Sequence, residues 1–298
     1  MKKEQNRRTF DLILNISNTG GLMNKKAMLE RLEVFKTDLR FDELSKKTIN
    51  KYIADAKRFI KFVKHDDDIT KYDTLDYKDY MMSIYKPKTV NSYIISLDKF
   101  LKYCDLQDLT LKQLKLQEKD SLDNVINDTD YKRMKRFALQ LDDEELYWIM
   151  RTIVNTGIRI SERRWITFES LSNDFYIPIR SKGKNRAIIF PQKFRRELLK
   201  YCKDNDITSG PIFTYTDIQI WRRLQKTAGA ARVNLKKAHA HSFRHFFAKR
   251  FVNAKYSDRP DPNELYDLSD ILGHSKMETT RIYVRSTREE KRKKIERM

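Results

Sequence analysis

Glycine and proline, the residues that most often interrupt regular structure, occur only seven and six times in 298 residues. With so few breakers, and with apolar residues recurring at three- and four-residue spacing over long segments, the chain is predicted to fold mainly as α-helix. "KKTINKYIADAKRFIKFVK" is the clearest case: Ile49, Ile53, Ala56 and Ile60 form one stripe, while Lys51, Lys57, Arg58, Lys61 and Lys64 line the others. "KPKTVNSYIISLDKFLKYC" repeats the design with Val90, Ile94, Leu97 and Leu101, and Pro87 marks its start. Further helices near residues 22–36 and 73–84 predict a compact bundle over residues 22–110.

A chain of this length favours two domains. Between Leu111 and Asn127 the periodicity weakens and the sequence turns polar, as a linker should, which places the domains at residues 1–117 and 118–298. Helical patterns resume at "DTDYKRMKRFALQL" and at "DEELYWIMRTIVNTG", the latter closed by Gly157. One convincing β signal follows, where "FYIPIR" and "RAIIF" flank the turn "SKGKN". Beyond Pro191 the pattern reads as helices joined by loops. The expected class is therefore mainly α, with a small β-hairpin that makes the second domain α+β.

Lysine and arginine outnumber aspartate and glutamate 62 to 42, a net charge of +20. Residues 1–117 carry 24 basic and 17 acidic side chains, leaving 38 and 25 for the rest, so both domains favour the same polyanionic partner. Cys104 and Cys202 lie far apart without metal-type spacing, which fits a reducing compartment and offers no disulfide framework. The opening "MKKEQNRRTFDLILNIS" has its apolar run broken by Asp11 and Asn15, and no stretch approaches the roughly 18–20 apolar residues of a membrane span. A cytoplasmic location with no membrane partner is expected.

Four stretches carry polar residues that packing alone explains poorly. "NTGIRISERRW" turns at Gly157 and offers Arg159 between two isoleucines that can anchor it. The hairpin tip "SKGKN" presents Lys182 and Lys184 on either side of a glycine. In "HAHSFRHFFAKRFV", His241 and Arg244 share one helical face while Phe243, Phe247 and Phe251 form an apolar stripe. In "LGHSKMETTRIYVRS", His274 follows a helix-ending glycine and Tyr283 lies nine residues further on. Each has a plainer reading: a solvated arginine, surface lysines, a packed tyrosine. His241 and His245 at helical spacing, with His239 nearby, also suggest a metal cluster, but no acidic or cysteine ligand stands close and the surroundings are strongly basic.

Taken together and in order, "TGIRISER", "SKGKNR", "HSFRH", "LGHS" and "TRIYVR" resemble the signature of the tyrosine recombinases, or phage integrase family. The resemblance is firm over residues 128–285 and weaker for the first half, which is similar to that family's helical, SAM-like core-binding domain. Phe243 in place of a leucine, Arg163 after "SE" and the longer approach "YSDRPDPNELYD" are departures that remove no reactive group.

The resemblance implies a metal-free, cofactor-free enzyme that breaks and rejoins DNA. Charge on a phosphodiester grows in the transition state, and two planar guanidiniums, Arg159 and Arg244, match its oxygens. Tyr283 is the implied nucleophile, forming a 3′-phosphotyrosyl bond. His241 is the implied acid or base, and His274 donates to the phosphate. Lys182 protonates the leaving 5′-hydroxyl, with Lys184 as the rival. Glu162 either braces the arginines or is a surface carboxylate. The resemblance further implies a clamp on double-stranded DNA with inverted-repeat core sites, a homotetramer passing through a Holliday junction, and a tail "STREEKRKKIERM" that packs on a neighbour or is solvated. The task implied is integration, excision, resolution or inversion of DNA. A DNA-binding relative without catalysis and a type IB topoisomerase are the alternatives.

Overall fold

The computed structural model describes residues 23–116, 124–181, 184–253, 262–274, 277–283 and 295–296. Lys182 and nearly all of the charged tail lie outside the described residues. Two compact units divide the chain, Met1–Glu118 and Lys119–Met298. The described fold is mainly helical with one two-stranded antiparallel sheet, the mainly α class with a small hairpin expected above. Among the described residues no helix is long and apolar enough to cross a membrane.

The first unit holds α1 (Lys25–Phe41), α2 (Lys46–Phe62), α3 (Lys71–Ile84) and α4 (Pro87–Tyr103). Their starts are set locally: the side chains of Asn24 and Ser45 accept from the amides of Ala27 and Thr48, Thr70 and Asp73 form a capping box, and Pro87 opens α4. Val90, Ile94, Leu97 and Leu101 are all buried, as their spacing predicts. The face of α2 is rotated from the expected stripe, because Phe59 enters the core while Ile53 is only partly covered. That rotation also buries Asp55, whose carboxylate takes the Lys51 ammonium at 2.5 Å. The expected linker begins later than its polarity suggests. Leu111 is buried in this core, its amide held by Asp98 at 2.9 Å, and the Leu114 amide is held by Asn91 at 2.8 Å.

The second unit runs through α5 (Asp128–Gln140), α6 (Glu144–Thr156), a 3₁₀ turn at Ile160–Trp165 and α7 (Phe168–Asn173). Strands β1 (Tyr176–Ser181) and β2 (Lys184–Ile189) follow, then α8 (Gln192–Asp204), α9 (Asp217–Ala230), α10 (Ala240–Asn253), α11 (Pro262–Leu272) and α12 (Met277–Arg281). The strands pair antiparallel from Tyr176 opposite Ile189 to Ser181 opposite Lys184. Alternation puts Ile177, Ile179, Ile188 and the following Phe190 into the core, and it sets Arg186 in phase with Ile188. Helix α10 is apolar over more of its surface than the predicted stripe. Phe243 and Phe246 join the main core with α6, while Phe247 and Phe251 pack with Leu268 and Leu272 of α11.

Candidate active site

Helix α6 ends at Gly157, whose φ of 65° suits a left-handed cap. A Cβ there would stand 2.5 Å from the Phe247 ring, so the glycine lets this turn lie against α10. Ile158 is buried immediately afterwards, which fixes the start of the Arg159 segment. Glu162 of the 3₁₀ turn reaches back to it, accepting from the Arg159 amide at 2.7 Å and its guanidinium at 3.0 Å. The other guanidinium nitrogen of Arg159 donates to the Gly273 carbonyl at 2.8 Å. A residue at the end of α6 is thereby tied to the loop that carries His274.

Arg244 is almost completely buried on α10. It donates to the Gly157 carbonyl at 2.6 Å and to the Leu272 carbonyl, so it joins the same two segments that Arg159 joins. Its Nε has no partner among the described residues. Arg186, which the sequence reading passed over, completes the cluster: from β2 it reaches the Glu162 carboxylate and the Ile271 carbonyl. A Cβ on Gly273 would lie 2.6 Å from the Arg186 side chain, so this positive-φ glycine admits the guanidinium. The period-two alternation of β2 was the available signal, since Arg186 shares a face with Ile188.

Three guanidiniums therefore surround one buried carboxylate. Burial works to raise the Glu162 pKa, but the Arg159 amide and the charge and hydrogen bond of Arg186 outweigh it and hold the group below its ordinary value. Arg244 is pulled down to about 9, by burial first and then by Arg159 and Arg186. It remains charged near neutral pH, in a setting with more positive charge than local protein groups balance.

His274 follows Gly273, its amide donating to the Ser269 carbonyl at 3.0 Å and its Nδ1 lying 2.9 Å from the Thr280 hydroxyl. Tyr283, just past α12, is 5% exposed and packs among Ala248, Val252, Leu268 and Leu272. Its hydroxyl is 2.8 Å from Nδ1 of His245, and its ring stacks on His274 with centroids 6.3 Å apart. His241 lies one turn before His245, the two rings meeting edge to face at 4.2 Å, and is the more exposed of the pair. Burial first, and then neighbouring arginines and histidines, lower the pKa of all three histidines, to about 3 for His245 and about 4 for His274.

Charge alone predicts that Arg159 and Arg244 activate the phenol. Both do pull its pKa down, but burial is the larger effect and leaves Tyr283 raised to about 12. In this state the hydroxyl keeps its proton. Of the six residues singled out in the sequence, the structure brings Arg159, His241, Arg244, His274 and Tyr283 together; Lys182 lies outside the described residues, and of Lys184 only the backbone pairing with Ser181 is described. Glu162 is 1% exposed and touches Arg159 directly, so the surface-carboxylate alternative is set aside.

A helical unit with one hairpin, in which arginines, histidines and a tyrosine from separate segments converge, defines the class of domain. The phage integrase family model matches residues 118–290, more than half of the sequence, and the chain belongs to that family. It is 27% identical over 154 residues to tyrosine recombinase XerD of Chlamydia trachomatis serovar D, covering 45% of this chain and 46% of that protein. It is 25% identical over 161 residues to tyrosine recombinase XerA of Pyrococcus furiosus, covering 50% and 53%. These matches span about half the length of each relative. Among solved structures it resembles a lambda integrase from a tetramer bound to a Holliday junction, with a TM-score of 0.69 at 15% identity, covering 93% of this chain and 82% of that one.

Proposed function

We propose that this protein is a site-specific DNA recombinase that cleaves and rejoins duplex DNA through a covalent bond between phosphate and Tyr283. The observation that carries this reading is the surplus of partly to fully buried positive charge beside the tyrosine: Arg159, Arg186 and Arg244 against the single carboxylate of Glu162. An anion is the natural complement of such a cluster, and a phosphodiester supplies one whose charge grows on the way to the transition state. Arg159 and Arg244 hold the nonbridging oxygens, with Arg186 and Glu162 keeping Arg159 and its loop in place. His274 donates to the phosphate, and His241 takes part in proton transfer or holds an oxygen.

In the step itself the Tyr283 O–H bond breaks, its proton passing to His241, as its oxygen bonds to phosphorus, and the bond to the 5′-oxygen breaks as that oxygen takes a proton from Lys182. Lys184 is the rival donor. The phosphotyrosine keeps the energy of the broken bond, and the reverse step rejoins DNA. Four copies act on paired inverted-repeat sites in this reading; the lambda integrase tetramer on a Holliday junction supports the number of copies, and the basic charge of both halves of the chain suits duplex phosphates.

Covalent capture tests the reading. The full chain is incubated with a pool of nicked duplexes of randomised sequence in excess EDTA, and DNA that stays attached in detergent is sequenced. Adducts to a shared sequence are expected, with the DNA mapped to Tyr283 by mass spectrometry and lost in Tyr283→Phe, while duplex binding remains. Adducts formed by Tyr283→Phe, or a strict need for a divalent ion, would overturn it. Relaxation of plasmid lacking the captured sequence would indicate a topoisomerase instead.

A further inference from the structure

We infer that His245 is the residue that orients the nucleophile, accepting the hydrogen bond of the Tyr283 hydroxyl on its Nδ1. The inference rests on the reading of Tyr283 as nucleophile and adds a residue to which that reading gave no role.

The Tyr283 ring is gripped by aliphatic side chains of α10 and α11, which fix its plane but not its oxygen. The polar partner that the structure gives that oxygen is the His245 imidazole at 2.8 Å. Tyr283 lies just past α12, a helix of only five residues, so local backbone alone is a weak constraint on where its hydroxyl points. His245, by contrast, is in the middle of the fourteen-residue α10, with its ring braced edge to face on His241.

The position of His245 in sequence matters as much as the bond. It directly follows Arg244, whose guanidinium is fixed by the carbonyls of Gly157 and Leu272. Consecutive residues of one helix thus hold a phosphate-binding group and the attacking oxygen, and covalent geometry limits how far the two can drift apart. A misplacement of about 1 Å at a reacting atom costs on the order of a hundredfold in rate. The charged and titratable groups around the imidazole are His241, Arg244, His239 and His274. Burial first, and then these neighbours, keep it neutral near pH 7, and a neutral imidazole has the free lone pair that an acceptor requires.

Two measurements on the full chain test this. In ¹⁵N NMR of histidine-labelled protein, His245 should carry its proton on Nε2, with Nδ1 unprotonated and shifted by Tyr283→Phe. A proton on Nδ1 would overturn the inference whether or not the protein cleaves DNA. In single-turnover adduct formation on a captured nicked duplex, His245→Ala should be slower by about a hundredfold with unchanged duplex affinity. His245→Asn, whose side-chain oxygen can stand where Nδ1 stood, should recover most of that loss, whereas His245→Gln, which places its oxygen nearer Nε2, should not. Wild-type rates in the alanine variant, or an asparagine variant as slow as alanine, would overturn it. Absence of any adduct from the unaltered protein would instead sink the nucleophile reading, and the NMR experiment would still decide the hydrogen bond.

Discussion

A buried carboxylate tied to cations occurs in each half of the molecule, and Asp55 and Glu162 are solved differently. Asp55 in the first unit meets one ammonium, that of Lys51, which also donates to the Ser92 carbonyl at 3.0 Å and the Ser96 hydroxyl at 2.7 Å. Charge there is balanced one to one, and the lysine is 42% exposed, so water shares the cost. Glu162 in the second unit meets Arg159 and Arg186, with Arg244 close enough to be pushed down by both arginines and pulled up by the carboxylate. The first arrangement is complete as it stands. The second is left cationic in a place where burying unbalanced charge is costly, and a fold tolerates that where an anion is to be bound.

The contrast can be broken most severely at Arg244. Replacing it with methionine should keep the helical circular dichroism signal but reduce adduct formation by about 10³-fold or more, because a buried donor aimed at developing charge is lost. The equivalent loss at Lys51 should leave adduct formation unchanged. A rate within about tenfold of the parent for Arg244→Met would mean that the cluster is structural only.

Next in size is Glu162→Gln, which strips the guanidiniums of their countercharge and should lower the unfolding free energy by about 3–5 kcal/mol in denaturant titrations. Sulfate should restore part of it. The pH dependence has a definite sign. Because the folded pKa of Glu162 lies below its ordinary 4.5, its stabilisation is present above that value and fades as pH falls through the depressed folded value. Parent and Gln variant should therefore differ most above pH 4.5 and converge in more acidic buffer.

Asp55→Asn should be the mildest, about 1 kcal/mol, since the partly exposed Lys51 can turn to water. Its melting temperature should respond to sulfate no differently from the parent's. A loss as large as that of Glu162→Gln would erase the distinction between the two carboxylates.

Much of the molecule is legible in the chain because it depends on neighbours a few residues away. The stripe Val90–Leu101, the caps at Asn24 and Ser45, the Gly157 stop and the β-hairpin all follow from local spacing and turn chemistry. The ordered motifs also identified five residues that the fold brings together, although they are spread from Arg159 to Tyr283. Arg186 was readable in principle, through its phase with Ile188, but a cation in a strand of alternating pattern is easily taken for a surface residue.

What tertiary structure alone decided are the pairings and the balance of opposing forces. The bond from His245 to Tyr283 spans 38 residues of sequence, and no periodicity encodes it. The rotation of α2 that buries Asp55 depends on Phe59 meeting Tyr77 of another helix. At Tyr283, formal charge predicts a lowered pKa, while the packed aliphatic residues of α10 and α11 remove enough water to raise it to about 12. Sequence determines which groups carry charge and which segments are helical, because both are properties of residues and their near neighbours. How far each charge is desolvated, and which group it faces, depends on atoms brought in from distant segments, so only the folded chain settles it.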